Sequence, residues 1–312
     1  PRKQLSPEAP DAVFRRAGAL TAEPLAKIQQ KAPIAILLNG GEYGLGVFGF
    51  CAEAWKQDPQ VVEAKGNADW FDYLSRSKAR QELPISDAVR RQVPDRLLYL
   101  YYHTSGCPHR DRYASWWHWA WDYASMKPVS DLANISIYYK QFNSGWTGDN
   151  DMLTQALNAV GRDVALGCPL SYNWVCGGWT QKGLGEEAHS DAEHYLGFLK
   201  CYYTAGMTGG VAGYFAYPPG GFAADLGDQA PSWLVQMIVL ARVQALFSHL
   251  EDFLRQGDLL PGPERHRWSQ DQPACEFPTD KEDVRVLARR HRTRDEWLVT
   301  AWAAGDKDAE VT

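Results

Sequence analysis

Short apolar or aromatic runs alternate along this chain with longer stretches of helical periodicity. The runs "IAILLN" (34–39), "RLLYLYYH" (96–103), "NISIYYKQF" (134–142), "CPLSYNWV" (168–175) and "VAGYFAY" (211–217) are each long enough for a strand and too short for a helix. Between them lie the helical patterns "DWFDYLSRSKAR", "RYASWWHWAWDYAS", "NDMLTQALNAVG" and "DAEHYLGFLKCYYTAG". After the last run comes the longest helical segment, 231–257, with Pro231 in its first turn and Gly257 at its end, the expected start and stop punctuation. A further helix is expected within the first thirty residues.

Strands alternating with helices predict an α/β fold with a parallel sheet and right-handed crossovers. The strands are apolar nearly throughout, which predicts burial on both faces. Two architectures compete, a doubly wound open sheet and a (β/α)8 TIM barrel. No GxGxxG follows a strand here, and the polar residues of interest sit at the C-terminal ends of several strands, as at a barrel mouth, so the barrel is favoured. Five strand–helix units are visible where a closed barrel needs eight. The chain opens at Pro1 without Met and ends in what reads as a continuing strand, so three upstream units are expected outside it. Residues 1–257 are read as the barrel portion. Residues 258–312 are read as a linker and the first strands of a C-terminal β-domain, with "DVRVLARRH" and "DEWLVTAWAA" antiparallel across "RTRD".

Composition narrows the partners. Hydrophobic content of 45% and charged content of 22% are those of a globular protein. A net charge of −6, with no long basic run, argues against nucleic-acid and membrane-surface partners. The short "RRHRTRD" segment (289–295) reads as a solvated turn. Six Cys without a CxxC pair read as reduced, mostly buried thiols and leave the compartment open, a secreted or periplasmic one included. Thirteen Trp and fifteen Tyr are an excess beyond what a core needs, and suit a protein that stacks flat apolar faces such as sugar rings.

Candidate chemistry gathers at strand ends. "LLNGGEYGL" drives a strand into a glycine-rich turn carrying a lone carboxylate, Glu42, flanked by Asn39 and Tyr43. A carboxylate in an aromatic, glycine-shaped pocket is placed to have its pKa raised, as a proton donor to a leaving group requires. Glycoside hydrolysis needs a second carboxylate. "ISIYYKQFNSGWTGDND" supplies Asn143, Trp146 and Asp149, with Asp151 reading as a helix N-cap. The next strand supplies Tyr172, Asn173, Trp174 and Trp179 as a stacking and hydroxyl-binding set, with Glu187 in the long loop behind them. His103, closing "LLYLYYH", could hold a substrate hydroxyl. His103, Cys107 and His109 match no zinc spacing, and there is no HExxH, GxSxG or P-loop, so neither a metal nor a cofactor is expected. The "WWHWAW" cluster reads as helix packing, with Trp117 and Trp121 on one face.

"LLNGGEYGL" at a strand tip, "YNWVCGGW" following "YYKQFNSGW", and a βα series running into "DEWLVTAWAA" together resemble a TIM-barrel glycoside hydrolase of the β-galactosidase and β-agarase type. The resemblance covers the back half of a barrel, residues 30–257, plus the start of the next domain. It implies a carbohydrate substrate and an acid/base Glu after the fourth strand, which matches Glu42. It also implies a nucleophilic Glu after the seventh strand, where this sequence has Tyr172-Asn173-Trp174 and no carboxylate. The partner would then be Asp149, from the sixth strand as in α-galactosidase-type barrels, or Glu187. The other outcome is a barrel that binds carbohydrate without catalysing. Oligomeric state, sugar and linkage are not legible.

Overall fold

A computed structural model describes residues 5–39, 50–93, 97–101, 123–134, 136–138, 153, 157, 166–168, 171–176, 178–180, 187–189, 192–208, 230–261, 277–281, 283–304 and 310. The strand expected at 211–217 and the "WWHWAW" cluster (116–121) lie outside these residues. The chain divides into two compact units, Pro1–Ile135 and Ser136–Thr312.

The first unit is built on two amphipathic helices in contact and a strand pair. Helix α1 (Asp11–Gln29) begins after Pro10 with Asp11 in its first turn and Lys27 in its last, both complementing the helix dipole. Strand β1 (Ile36–Asn39) follows, then α2 (Phe50–Gln57) and α3 (Pro59–Lys65). Asp58 caps α3 by accepting from the Gln60 N–H at 2.9 Å, and Gly66, at φ 54°, takes the chain out of the helix where a side chain would be strained. Helix α4 (Trp70–Gln92) starts on Asp69, whose carboxylate accepts from the Phe71 N–H at 2.8 Å. It runs a full three turns beyond the expected "DWFDYLSRSKAR", through Pro84, because Leu74, Lys78, Gln81, Glu82, Ala88 and Val89 keep one face buried. Gly18 brings α1 close to it, since a Cβ there would sit 2.7 Å from the Pro84 carbonyl oxygen.

Strand β2 (Leu98–Tyr101) then pairs with β1, parallel and in register: Ile36 with Leu98 through to Asn39 with Tyr101. Parallel neighbours require a long crossover, which here includes α2, α3 and α4. Tyr99, Leu100 and Tyr101 are consecutively buried, as a strand covered on both faces should be, whereas β1 is half-buried and Ile36 is exposed. Helix α5 (Tyr123–Met126) follows, and the described part of this unit runs on to Asn134.

In the second unit β3 (Ser136–Tyr138) pairs in parallel with β5 (Trp174–Cys176), and β4 (Ser171–Tyr172) pairs in parallel with β8 (Met207–Thr208). The run read as one strand, "CPLSYNWV", is therefore interrupted at Asn173, and its halves bond to different neighbours. Strands β6 (Gly178–Thr180) and β7 (Glu187–His189) form an antiparallel hairpin where the sequence predicts a long loop. Leu153 and Leu157, one helical turn apart within "NDMLTQALNAVG", are helical and buried. Helix α6 (Ala192–Thr204) packs on α7 (Ala230–Ser248) through an aromatic ladder. Tyr195 stacks on Phe198, Phe198 meets Tyr202 with the rings tilted, and Tyr203 meets Phe247 with ring centroids 5.1 Å apart. The expected single helix over 231–257 breaks after Ser248 and resumes as α8 (Glu251–Gln256).

Gly257 opens β9 (Gly257–Leu259), which pairs antiparallel with β10 (Val284–His291), itself antiparallel to β11 (Trp297–Ala303) across the expected turn. Thr300 and Trp302 are buried while Trp297, Val299 and Ala301 are exposed, the period-two alternation of a sheet covered on one face. That covered face lies on α6. Among the described residues the parallel strands form separate pairs, and no closed barrel is seen.

Candidate functional site

Asn39, the last residue of β1, stands at the C-terminal end of the parallel pair and is half-buried. Its Nδ2 donates to the Tyr99 hydroxyl at 2.6 Å. Tyr99 and Tyr101 are two apart on β2 and so project from the same face of the strand. Tyr99 is completely buried, and burial pushes its phenol up to about 12, with the Asn39 hydrogen bond opposing the shift. Arg90, from the last turn of α4, lies 5.4 Å over its ring. The guanidinium also donates to the Val129 carbonyl at 2.8 Å and to Asp131 at 2.9 Å. Asp131 in turn accepts from the Tyr99 N–H at 2.7 Å.

Beneath Tyr101 is a buried charged set. Glu82 Oε1 accepts from Lys78 Nζ at 2.6 Å and from the Tyr101 hydroxyl at 3.0 Å, and Lys78 sits 5.4 Å from the centre of the Tyr101 ring. Burial first, and the Glu82 carboxylate second, hold the Tyr101 phenol well above its ordinary value. Glu82 is satisfied on this oxygen by an ammonium and a phenol from inside the unit, so its chemistry is that of an anchor between α4 and β2. Asn39 is the half-exposed member of the assembly at the carboxyl end of a strand.

The residues expected to carry chemistry fall into two groups. Glu42, Tyr43, His103, Asn143, Trp146 and Asp149 lie outside the described residues. In the second unit, Tyr172 is half-buried on β4, Asn173 is buried between β4 and β5, Trp174 opens β5, and Trp179 is central in β6. Glu187 is on β7, opposite Thr180 in the hairpin register, and not in an irregular loop. The two short strands fell below the length at which an apolar run signals a strand. Tyr99, Tyr101, Arg90 and Glu82 were not singled out from sequence, although the tyrosines at alternate positions of "LLYLYYH" carry a period-two signal. Among the described residues no group of three or more His, Cys, Asp and Glu could hold a metal ion. Nor is any described helix long and apolar enough to cross a membrane.

No family model matches the chain, and no curated protein matches it. Among solved structures, the chain is similar to a catalytic mutant of Gan42B, a GH42 β-galactosidase from G. stearothermophilus, at 13% identity and a TM-score of 0.47. A second structure of Gan42B gives 12% identity and a TM-score of 0.45. Each match covers 74% of this chain and 40% of the other, so the chain spans less than half the length of those structures.

Proposed function

We propose that the chain is part of a glycoside hydrolase of (β/α)8-barrel type, acting on an oligosaccharide or polysaccharide by carboxylate acid/base catalysis. Glu42 is its proton donor, and Asp149 or Glu187 is the second carboxylate. Tyr43, His103, Asn143, Trp146, Tyr172, Trp174 and Trp179 join Asn39 and Asn173 in stacking on and hydrogen-bonding the sugar. Residues 1–257 form the barrel portion and 258–312 open a β-domain. The observation that supports this reading is the end of β1. It runs parallel to β2, is joined to it through helices, and finishes in half-exposed Asn39, three residues ahead of Glu42 in sequence. In α/β folds with parallel strands, ligands bind beyond the carboxyl ends of the strands.

The test is turnover of a panel of nitrophenyl glycosides and oligosaccharides by the wild-type chain and by Glu42→Gln. Loss of a general acid is expected to cost about 100-fold or more in kcat while saccharide binding persists. Full activity in Glu42→Gln removes Glu42 from the chemistry. Asp149→Asn and Glu187→Gln separate the two candidate partners. A second reading, a carbohydrate-binding barrel without catalysis, is favoured by one feature: 168–176 holds no Asp or Glu, and Asn173 is buried in its centre. Saccharide binding without turnover of any substrate is its signature.

A further inference from the structure

The carboxamide that ends β1 is oriented from behind. Asn39 commits one N–H of its Nδ2 to the Tyr99 hydroxyl at 2.6 Å. Tyr99 is held on every side that the described residues supply. Its ring is buried, Arg90 covers it at 5.4 Å, and Asp131 accepts from its backbone N–H at 2.7 Å. Asp131 and Val129 fix Arg90 in turn. Asn39 itself is half-exposed, and among the described residues nothing else bonds to its side chain.

We infer that Tyr99 is a positioning residue that aims the Asn39 carboxamide outward as a paired acceptor and donor for adjacent hydroxyls of a sugar ring. With one N–H held inward, the amide plane is set, and the oxygen and the second N–H face away from the phenol. A carboxamide carries two donors and an acceptor, so the outward pair complements one hydroxyl that donates and a neighbour that accepts. Without Tyr99 the amide turns freely, presents either end, and no longer distinguishes the two. This inference rests on the saccharide reading above and adds to it the group that orients one of its binding residues.

The experiment measures binding of D-glucose, D-galactose and D-mannose, and of their mono-deoxy derivatives, to the full chain. The wild type is expected to lose about tenfold in affinity when one particular hydroxyl is removed, the worth of a good hydrogen bond. In Asn39→Ala that discrimination vanishes. In Tyr99→Phe, which removes one oxygen and keeps the ring, it falls to about twofold or less, with the circular dichroism unchanged. Unchanged discrimination in Tyr99→Phe overturns the role of Tyr99 and leaves the saccharide reading intact. No binding of any of these sugars or derivatives by the wild type overturns both. Should Tyr99→Phe fail to fold, the wild-type Asn39 carboxamide resonances, assigned by their loss in Asn39→Ala, decide the matter. One slowly exchanging amide proton supports the inference, and two that exchange alike overturn it.

Discussion

The indole of Trp302 on β11 lies against Gly197 in α6, so closely that a Cβ at 197 would overlap Trp302 Cδ1 and Nε1. The missing side chain is what lets strand and helix touch. Nearby, the Thr204 and Thr300 hydroxyls share a hydrogen bond of 2.6 Å across the same contact. Gly197→Ala is therefore expected to destabilise the chain by about 1–2 kcal/mol, because overpacking outweighs the gain in helix propensity. Urea unfolding measures it. The double variant with Trp302→Leu should recover most of the loss, and a stabilised Gly197→Ala would show that the indole lies elsewhere.

Arg289 makes a different prediction at the other end of the same sheet. Its guanidinium is buried and donates to three backbone carbonyls: Phe253 at 2.9 Å, Thr204 at 3.1 Å and Gly257 at 2.8 Å. It thereby ties the end of α6, helix α8 and the start of β9 to β10. Burial pushes the guanidinium down to about 10, which leaves it charged at neutral pH. Arg289→Met strands these carbonyls and is expected to cost about 3 kcal/mol. Its exposed neighbour Arg290, paired with Asp295 at 3.6 Å, should cost no more than about 0.5 kcal/mol on replacement by Ala. Equal losses for the two would deny the clamp.

The contrast between those two arginines also marks what could be read in advance. β1, β2, α6 and the β10–β11 hairpin follow from apolar runs and helical periodicity, because those runs are what the folded chain buries. "RRHRTRD" read as a solvated turn, and for Arg290, Arg292 and Arg294 the ion pairs with Asp295, Asp258 and Asp252 fit that reading. Residues 289–291 depart from it, since they end β10 with Arg289 and His291 buried, and a charge run carries no mark of which members the fold turns inward. The same holds at the site. Asn39 at a strand end was legible from the abrupt glycines that follow it, whereas the phenol behind it comes from a strand sixty residues later. Register decides that pairing, and register is a property of the folded sheet.

The buried phenols set a limit at alkaline pH. The Tyr99 phenol keeps its proton in the folded chain up to about 12, against 10.0 for an ordinary tyrosine. Between those values the folded chain binds more protons than the unfolded one, so stability is intact below pH 10 and falls as pH rises through the window. Tyr99 alone contributes on the order of 2 kcal/mol to that fall. Tyr101 and Tyr73 shift in the same direction, both chiefly through burial. Absorbance of tyrosinate should thus rise in two stages, exposed phenols first and the buried set only with loss of the circular dichroism signal. Titration of all fifteen tyrosines near pH 10 with the fold retained would contradict the burial.

The Lys78–Glu82–Tyr101 set offers the sharpest test of the first unit. Lys78 and Glu82 are one helical turn apart with only 11% of each side chain exposed, so their attraction is little screened and their desolvation is costly. Removing one partner leaves the other charge buried. Lys78→Met or Glu82→Leu is accordingly expected to destabilise by about 3 kcal/mol. Replacing both at once removes the stranded charge, and the double variant should be more stable than either single one, close to wild type. Tyr101→Phe deletes only the 3.0 Å bond to Glu82 and should cost about 1 kcal/mol. Chemical denaturation of the four proteins completes the cycle. Additive losses in the double variant would mean that the two charges are solvated separately, and the anchor between α4 and β2 would then have to be the Tyr99–Arg90 contact alone.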